Sequence, residues 1–221
     1  TVFGMSCFAP TYSIYGLLPI TLTNQSIESF SSINGDGGDD VLNISNIGLA
    51  SGVRSIQFTG GEGNDRMISN NVSPNINASG GNGNDLLEGG NGSDTLLGDR
   101  GNDIMLARNG DDRIVGAEST NLGRGEIDIL VGGPGRDTFV LDNFYNDGNF
   151  LADGDAINFF NGFDGTGDFA RISDFIVGEG DLIQLSGPRN SYELKPITNS
   201  LRGGDSAIQD MGIFKKGPLQ P

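Results

Sequence analysis

From Gly80 onward, apolar side chains return with a period of nine: Leu87, Leu96, Met105 and Ile114. This is neither the 3.6-residue period of a helix nor the simple alternation of one strand. Each apolar position sits in the same local sentence. A glycine-rich hexad carries aspartate at its sixth place, and a three-residue segment follows with the apolar residue in its middle. The copies are GGEGNDRMI at Gly60, GGNGNDLLE at Gly80, GGNGSDTLL at Gly89, GDRGNDIML at Gly98 and GGPGRDTFV at Gly132. GDGGDDVLN at Gly35 fits as well, with Asp40 and Leu42 in the two marked places. Such a hexad turns tightly, because glycine accepts positive φ without a Cβ clash. The three residues after it are extended, and the middle one faces inward. The predicted inward row is Leu42, Met67, Leu87, Leu96, Met105, Ile114, Leu130 and Phe139. One row cannot bury itself, but two facing rows in a stack of turns can. Nine residues then make half a turn and eighteen a full one. The pattern predicts an all-β parallel β-roll, or β-solenoid, with loops eighteen residues apart stacked on one edge.

Departures from the pattern divide the chain. Residues 28–140 read as the roll. Within them the alternation of Val41, Ile44, Ile47, Val53, Ile56 and Phe58 predicts short strands around a degenerate half-turn. The stretch Ser69 to Ser79 is a second degenerate half-turn, with Pro74 where an aspartate belongs. ARNGDDRIV at Ala107 lacks the first two glycines. An interruption from Gly116 to Leu122 precedes GRGEIDILV at Gly123, in which Glu126 and Ile127 replace the usual loop residues. Residues 1–27 are uncharged and apolar, and Gly4, Pro10, Gly16 and Pro19 exclude a helix there. The expectation is a cap strand on the first rung, or an assembly strand that inserts into a neighbouring copy. Residues 141–221 are richer in phenylalanine and include DLIQLSG at Asp181, which predicts a β-rich C-terminal capping region.

Composition adds the chemistry. The formal charge is −16, and histidine and tryptophan are absent. Such a chain repels nucleic acid and attracts cations. Cys7 is the single cysteine, so no intrachain disulfide can staple the fold. No apolar run is long enough for a transmembrane span, and no basic opening stretch predicts a secretory signal peptide within the chain. Aspartates stacked at the strand spacing of about 5 Å repel one another. A divalent cation between them reverses the sign. Calcium takes six to eight oxygens at about 2.3–2.6 Å in flexible geometry. Zinc and copper favour nitrogen and sulfur, and magnesium keeps its waters. Several Ca2+ ions are therefore the expected ligand. A single GxGxD reads as a solvated Asp-Gly turn, but copies in phase do not. A dinucleotide-binding GxGxxG also fails, because no βαβ pattern follows.

These repeats resemble the RTX (repeat-in-toxin) family of secreted calcium-binding β-roll proteins, strongly from Gly80 to Val140 and fairly from Gly35. ISDFIVGEGDLIQLS at Ile172 resembles the capping motif that follows such rolls, with one extra residue near Gly180. The run GRGEIDILVGGPGRDTFVL followed by YNDGN is similar to calcium-binding proteins common in cyanobacteria. The resemblance implies one calcium between loops eighteen residues apart. The earlier loop gives carbonyls from its second and fourth places and its aspartate. The later loop gives carbonyls from its first and third places and its own aspartate. Carried over, Gly81, Gly83 and Asp85 meet Gly98, Arg100 and Asp103. On the opposite edge Gly90, Gly92 and Asp94 meet Ala107, Asn109 and Asp112. Gly61, Gly63 and Asp65 meet Gly80, Asn82 and Asp85, provided the longer loop at Ser73 bulges outward. Asp36, Gly38 and Asp40 meet Gly60, Glu62 and Asp65. If the Gly116–Leu122 insertion loops out, Asp99, Gly101 and Asp103 meet Gly123, Gly125 and Asp128, and Gly110 and Asp112 meet Gly132 and Asp137. If it forms its own half-turn, the two edges exchange.

Function follows less directly. No catalytic constellation is visible, since Cys7 has no histidine partner and the serines lack a base. The chain is expected not to be an enzyme. One expectation is a secreted, extracellular or cell-surface structural protein that polymerises with copies of itself into a filament, sheath or surface layer. A second is the C-terminal calcium-binding module of a larger secreted enzyme or toxin. A third is a carbohydrate-binding module, with Tyr12, Tyr15 and Tyr145 as stacking platforms.

Overall fold

The structure is a computed structural model, and it describes residues 13–15, 20–21, 32–45, 54–69, 74–117, 126–141, 169–185, 189–196 and 211–215. Its body is two parallel sheets visited alternately by one winding chain. The first contains β1 (Ser13–Tyr15), β3 (Ser32–Gly37), β5 (Ser55–Glu62), β7 (Asn75–Asn82), β9 (Thr95–Arg100), β11 (Arg113–Ala117), β13 (Thr138–Val140) and β15 (Leu182–Gln184), in that order. The second contains β2 (Ile20–Thr21), β4 (Val41–Asn43), β6 (Arg66–Ile68), β8 (Leu86–Glu88), β10 (Ile104–Leu106), β12 (Ile127–Val131) and β14 (Phe169–Ile172). This is the parallel β-roll that the nine-residue period predicts. A separate pair, β16 (Tyr192–Pro196) and β17 (Met211–Lys215), is antiparallel. Among the described residues no helix is long and apolar enough to cross a membrane.

The core lies between the sheets. Leu42, Met67, Leu87, Leu96, Met105, Ile114, Leu130 and Phe139 are all at most 1% exposed. They are the inward row expected from the repeat. Register explains why the row stays aligned: Leu42 pairs with Met67, Met67 with Leu87, Leu87 with Met105 and Met105 with Leu130. A slip of one residue would turn every side chain to the other face. The irregular early rungs bury Ile33, Ile44, Ile56, Phe58 and Ile76 in the same core.

Both ends of the roll come from segments outside the regular repeats. Strands β1 and β2 pair with β3 and β4 at the first rung. Strands β14 and β15 pair with β12 and β13, so the parallel sheets run past residue 140 into the segment expected to cap them. Phe175 packs near the core there, its ring centroid 6.3 Å from that of Phe139.

Candidate metal centre

The glycine loops line two opposite edges of the roll, and each edge carries a column of aligned positions. On the edge leading into the second sheet the column is Asp40, Asp65, Asp85, Asp103 and Asp128. The backbone N–H of each donates to Oδ1 of the next: Asp40 to Asp65 at 2.8 Å, Asp65 to Asp85 at 2.7 Å, Asp85 to Asp103 at 2.8 Å and Asp103 to Asp128 at 3.0 Å. On the edge leading into the first sheet, Asp94 donates to Asp112 at 2.6 Å, Asp112 to Asp137 at 3.0 Å and Asp137 to Asp181 at 3.0 Å. All of these aspartates are buried.

One oxygen of each carboxylate is thus committed to holding the stack. In Asp94 and Asp181 the other accepts from the N–H of Gly90 and of Ile176, and in five more it is left over. Oδ2 of Asp65, Asp85, Asp103, Asp112 and Asp137 is buried with no hydrogen-bond partner. An orphaned, ionised oxygen is costly in a protein interior. Burial, first of all, pushes these carboxyls up: Asp103 to about 8, Asp112 to about 7, and Asp85 and Asp137 to about 6. Neighbouring aspartates add to the rise in each case, against the backbone hydrogen bond that lowers it.

Backbone oxygens complete the gap between loops. A Cβ placed on Gly60 would sit on both Asp65 Oδ2 and the Gly80 carbonyl, so these two oxygens converge beside the bare glycine. On Gly81 and Gly83 it would strike the carbonyls of Gly61 and Gly63, which face the loop above them. The same relation links Gly61 to Asp36, Gly63 to Gly38, Gly101 to Gly83 and Gly110 to Gly92. On the other edge, Asp94 Oδ2 and the Ala107 carbonyl share the space beside Gly89. Third-place carbonyls also face across the gap: Gly38, Gly63 and Gly83 donate to the carbonyls of Glu62, Asn82 and Arg100 at 2.6, 2.8 and 2.8 Å. Among the described residues no three Asp, Glu, His or Cys side chains gather as a metal-binding group. An ion here needs a mixture of carboxylate and carbonyl oxygens, which is the hard donor set calcium accepts. The residues fit the ion.

Non-glycine residues in the second place adopt the same backbone at a cost. Asp36, Asp99 and Arg108 have φ of 68°, 73° and 80°. Aspartate tolerates this region better than most side chains. Arg108, in the copy that lost its glycines, is held by Glu88, its guanidinium donating to Oε2 at 2.7 Å.

Several placements differ from the repeat arithmetic. Asp103 stacks on Asp128 and Asp112 on Asp137, so the edges do not exchange across the insertion. Residues 118–125 lie outside the described ones, Gly123 and Gly125 among them. Among the described residues the carbonyl that meets Gly98 and Asp103 Oδ2 is that of Gly116, at the end of β11. On the other edge the residue in the aspartate column is Ile76, not Pro74: its N–H donates to Asp94 Oδ1 at 2.7 Å. Pro74 lies two residues earlier, with its carbonyl beside Gly92.

Some members of the site carried a sequence signal that spacing alone obscured. Asp181 closes its column, accepting from Asp137 through Oδ1 and from Ile176 through Oδ2 at 2.8 Å. Its signal was partly buried Ile183, two residues on, in the core place of the repeat. Asp174 accepts from Gly132 and Gly133 at 3.0 and 2.6 Å and finishes the last loop. The fifth places form a further ladder, in which Asn64 donates to Asp39, Asn84 to Asn64 and Asn102 to Asn84. Asparagine at that place reads locally as a turn former, and only register shows that it bonds across rungs.

The fold and its edges define a parallel β-roll with oxygen-lined gaps between stacked aspartate loops. The family pattern described as the RTX calcium-binding nonapeptide repeat (4 copies) matches residues 79–117 and 122–143, pausing at the insertion. Over these residues the chain carries RTX calcium-binding nonapeptide repeats. Comparison with curated proteins and with solved structures gave no match.

Proposed function

We propose that this protein is a secreted structural subunit, a calcium-hardened β-solenoid that polymerises into an extracellular filament, sheath or surface layer. The buried aspartate columns with leftover Oδ2 atoms support calcium-dependent folding. Without the ion they repel, and the glycine-rich chain loses much conformational entropy on folding. Calcium then acts as the staple that the missing disulfides would otherwise supply. In chelator, circular dichroism is expected to show coil, with β-structure on adding calcium. A spectrum indifferent to calcium would sink this part of the reading.

The observation that carries polymerisation is the pair of roll ends. Each sheet finishes in a short parallel strand at either end, β1 and β2 at one and β14 and β15 at the other. Among the described residues these strands have a sheet partner on one side only. Leu182 of β15 is 63% exposed and Val177 beside it 77%. Such edges accept a strand from another chain. A structural role is consistent with the repeat aspartates, which are buried in the two columns. Electron microscopy of the protein purified in calcium decides between outcomes: long uniform fibres are expected, and monodisperse particles would overturn the filament.

A further inference from the structure

The loop that follows the insertion brings an acidic side chain to the ladder. In the regular loops of the first edge, the N–H of the fourth-place glycine donates to the third-place carbonyl of the next loop, as Gly83 does to Arg100 at 2.8 Å. The RTX resemblance makes that carbonyl a calcium ligand. Above Gly101 the loop is Gly116 to Asp128, interrupted by the insertion. There the side chain of Glu126 accepts from the Gly101 N–H. The repeat consensus has no acidic residue for this task.

Glu126 keeps an oxygen in reserve. Its Oε2 is buried and has no hydrogen-bond partner, although the residue as a whole is only partly buried. Its charge is felt at Asp103. Asp103 is 1% exposed, with Oδ2 unpartnered and meeting the Gly116 carbonyl beside Gly98. Asp103 Oδ2 and the Gly116 carbonyl thus border one gap, with Glu126 near enough to act on it, and Asp128 bounds it above by accepting the Asp103 N–H. Arg100 lies near enough to lower the cost of the Glu126 charge.

We infer that Glu126 is a side-chain calcium ligand at a site shared with Asp103, Gly101 and Gly116. The inference rests on the calcium reading of the loops. It goes beyond it in making this gap unlike its neighbours: the site has an extra negative ligand supplied by a side chain. Calcium affinity in oxygen cages rises with the number of charged ligands. The gap between Asp103 and Asp128 is therefore the tightest site on its edge and the first to fill. Filling it clamps the two halves of the roll across the insertion.

The test is isothermal titration of the whole chain with calcium, wild type against Glu126→Gln. The amide still accepts from the Gly101 N–H but no longer offers charge. The tightest class of ions is expected to weaken by about tenfold or more while the remaining classes stay unchanged. Circular dichroism at saturating calcium should be the same for both chains. An isotherm superimposable on that of the wild type would overturn the inference. So would equal weakening of all classes, which marks a general folding role. Wild-type chain that takes up no calcium would instead overturn the calcium reading beneath it. A calcium-loaded crystal structure gives a second readout: Glu126 Oε2 should lie within about 2.6 Å of the ion, and a side chain turned away from it would refute the assignment.

Discussion

At the scale of the residue, each repeat aspartate has a divided task. Its Oδ1 holds the preceding rung by accepting that rung's backbone N–H, as Asp103 does from Asp85, and in Asp103 the Oδ2 is left for the gap. Asp103→Asn separates the two, because the amide keeps the shape and an oxygen acceptor but loses the charge. In calcium this variant should raise the midpoint of calcium-induced folding about tenfold, by loss of a charged ligand. In chelator it should be more folded than wild type, since a buried unpaired charge has gone. Effects of the same sign in both conditions would contradict the division. Glycine offers a second check. Gly83 has φ of +142°, and a Cβ on it would strike the Gly63 carbonyl. Gly83→Ala should lower stability by about 2 kcal/mol or more in urea titrations with calcium, whereas Gly178→Ala, with nothing within 4 Å, should stay within about 0.5 kcal/mol. The inward row was legible residue by residue because it needs only a period and a polarity. Glu126 was visible as a departure from the pattern, but its role was not. Seeing that role requires knowing that its side chain reaches the Gly101 N–H.

At the scale of the element, strands here are short and the stack does the stabilising. Most strands of the second sheet have three residues, as β4, β6, β8 and β10 do. Each depends on loop ladders at both of its ends. The asparagine ladder is one of these. Asn84 donates from N and Nδ2 to Asn64 Oδ1 at 2.9 and 3.3 Å, and its own Oδ1 accepts from Asn102 N and Nδ2 at 2.8 and 3.1 Å. Asn84→Ala removes the side-chain donor and the acceptor together, at an exposed site. A loss of roughly 1–2 kcal/mol is expected in calcium, read from the thermal midpoint. An unchanged midpoint would mean that water replaces the ladder without cost. Element order was legible wherever the nine-residue phase held. It slipped where a residue was added or exchanged. Ile76 took an aspartate's place because an apolar side chain can fill the column when no ion is needed there. Gly116 meets Gly98 and Asp103 Oδ2 from the end of β11, a place that the count along the chain did not give it.

At the scale of the whole molecule, the stacked carboxylates make folding depend on pH as well as calcium. In the metal-free roll burial raises them above the ordinary value of 3.8, to about 6 for Asp85, Asp94 and Asp137, about 7 for Asp112 and about 8 for Asp103. The folded chain then binds protons more tightly than the unfolded one. Its proton-linked stability is full below the ordinary value and is lost as pH rises through the raised ones. In chelator the β-signal in circular dichroism should therefore be strongest near pH 4 and fall towards pH 8. Calcium added at pH 8 should restore it. A metal-free roll that gains structure as pH rises would contradict this account. The roll as an architecture was legible from the repeat, since the fold is one unit stacked many times. Strands at its ends were legible from composition, but their place in the two sheets was not, because β1, β2, β14 and β15 join without repeating the sentence.

The two columns are not level with each other. On one edge the aspartates run from Asp40 to Asp128, where the next aligned residue is Ala170. On the other they begin only at Asp94, after Ile56 and Ile76, and continue to Asp181. Near the first rungs one side of the rod answers to calcium and the other does not, and near the last rungs the sides change roles. Repulsion released by losing ions therefore falls on one edge at the first rungs and on the opposite edge at the last.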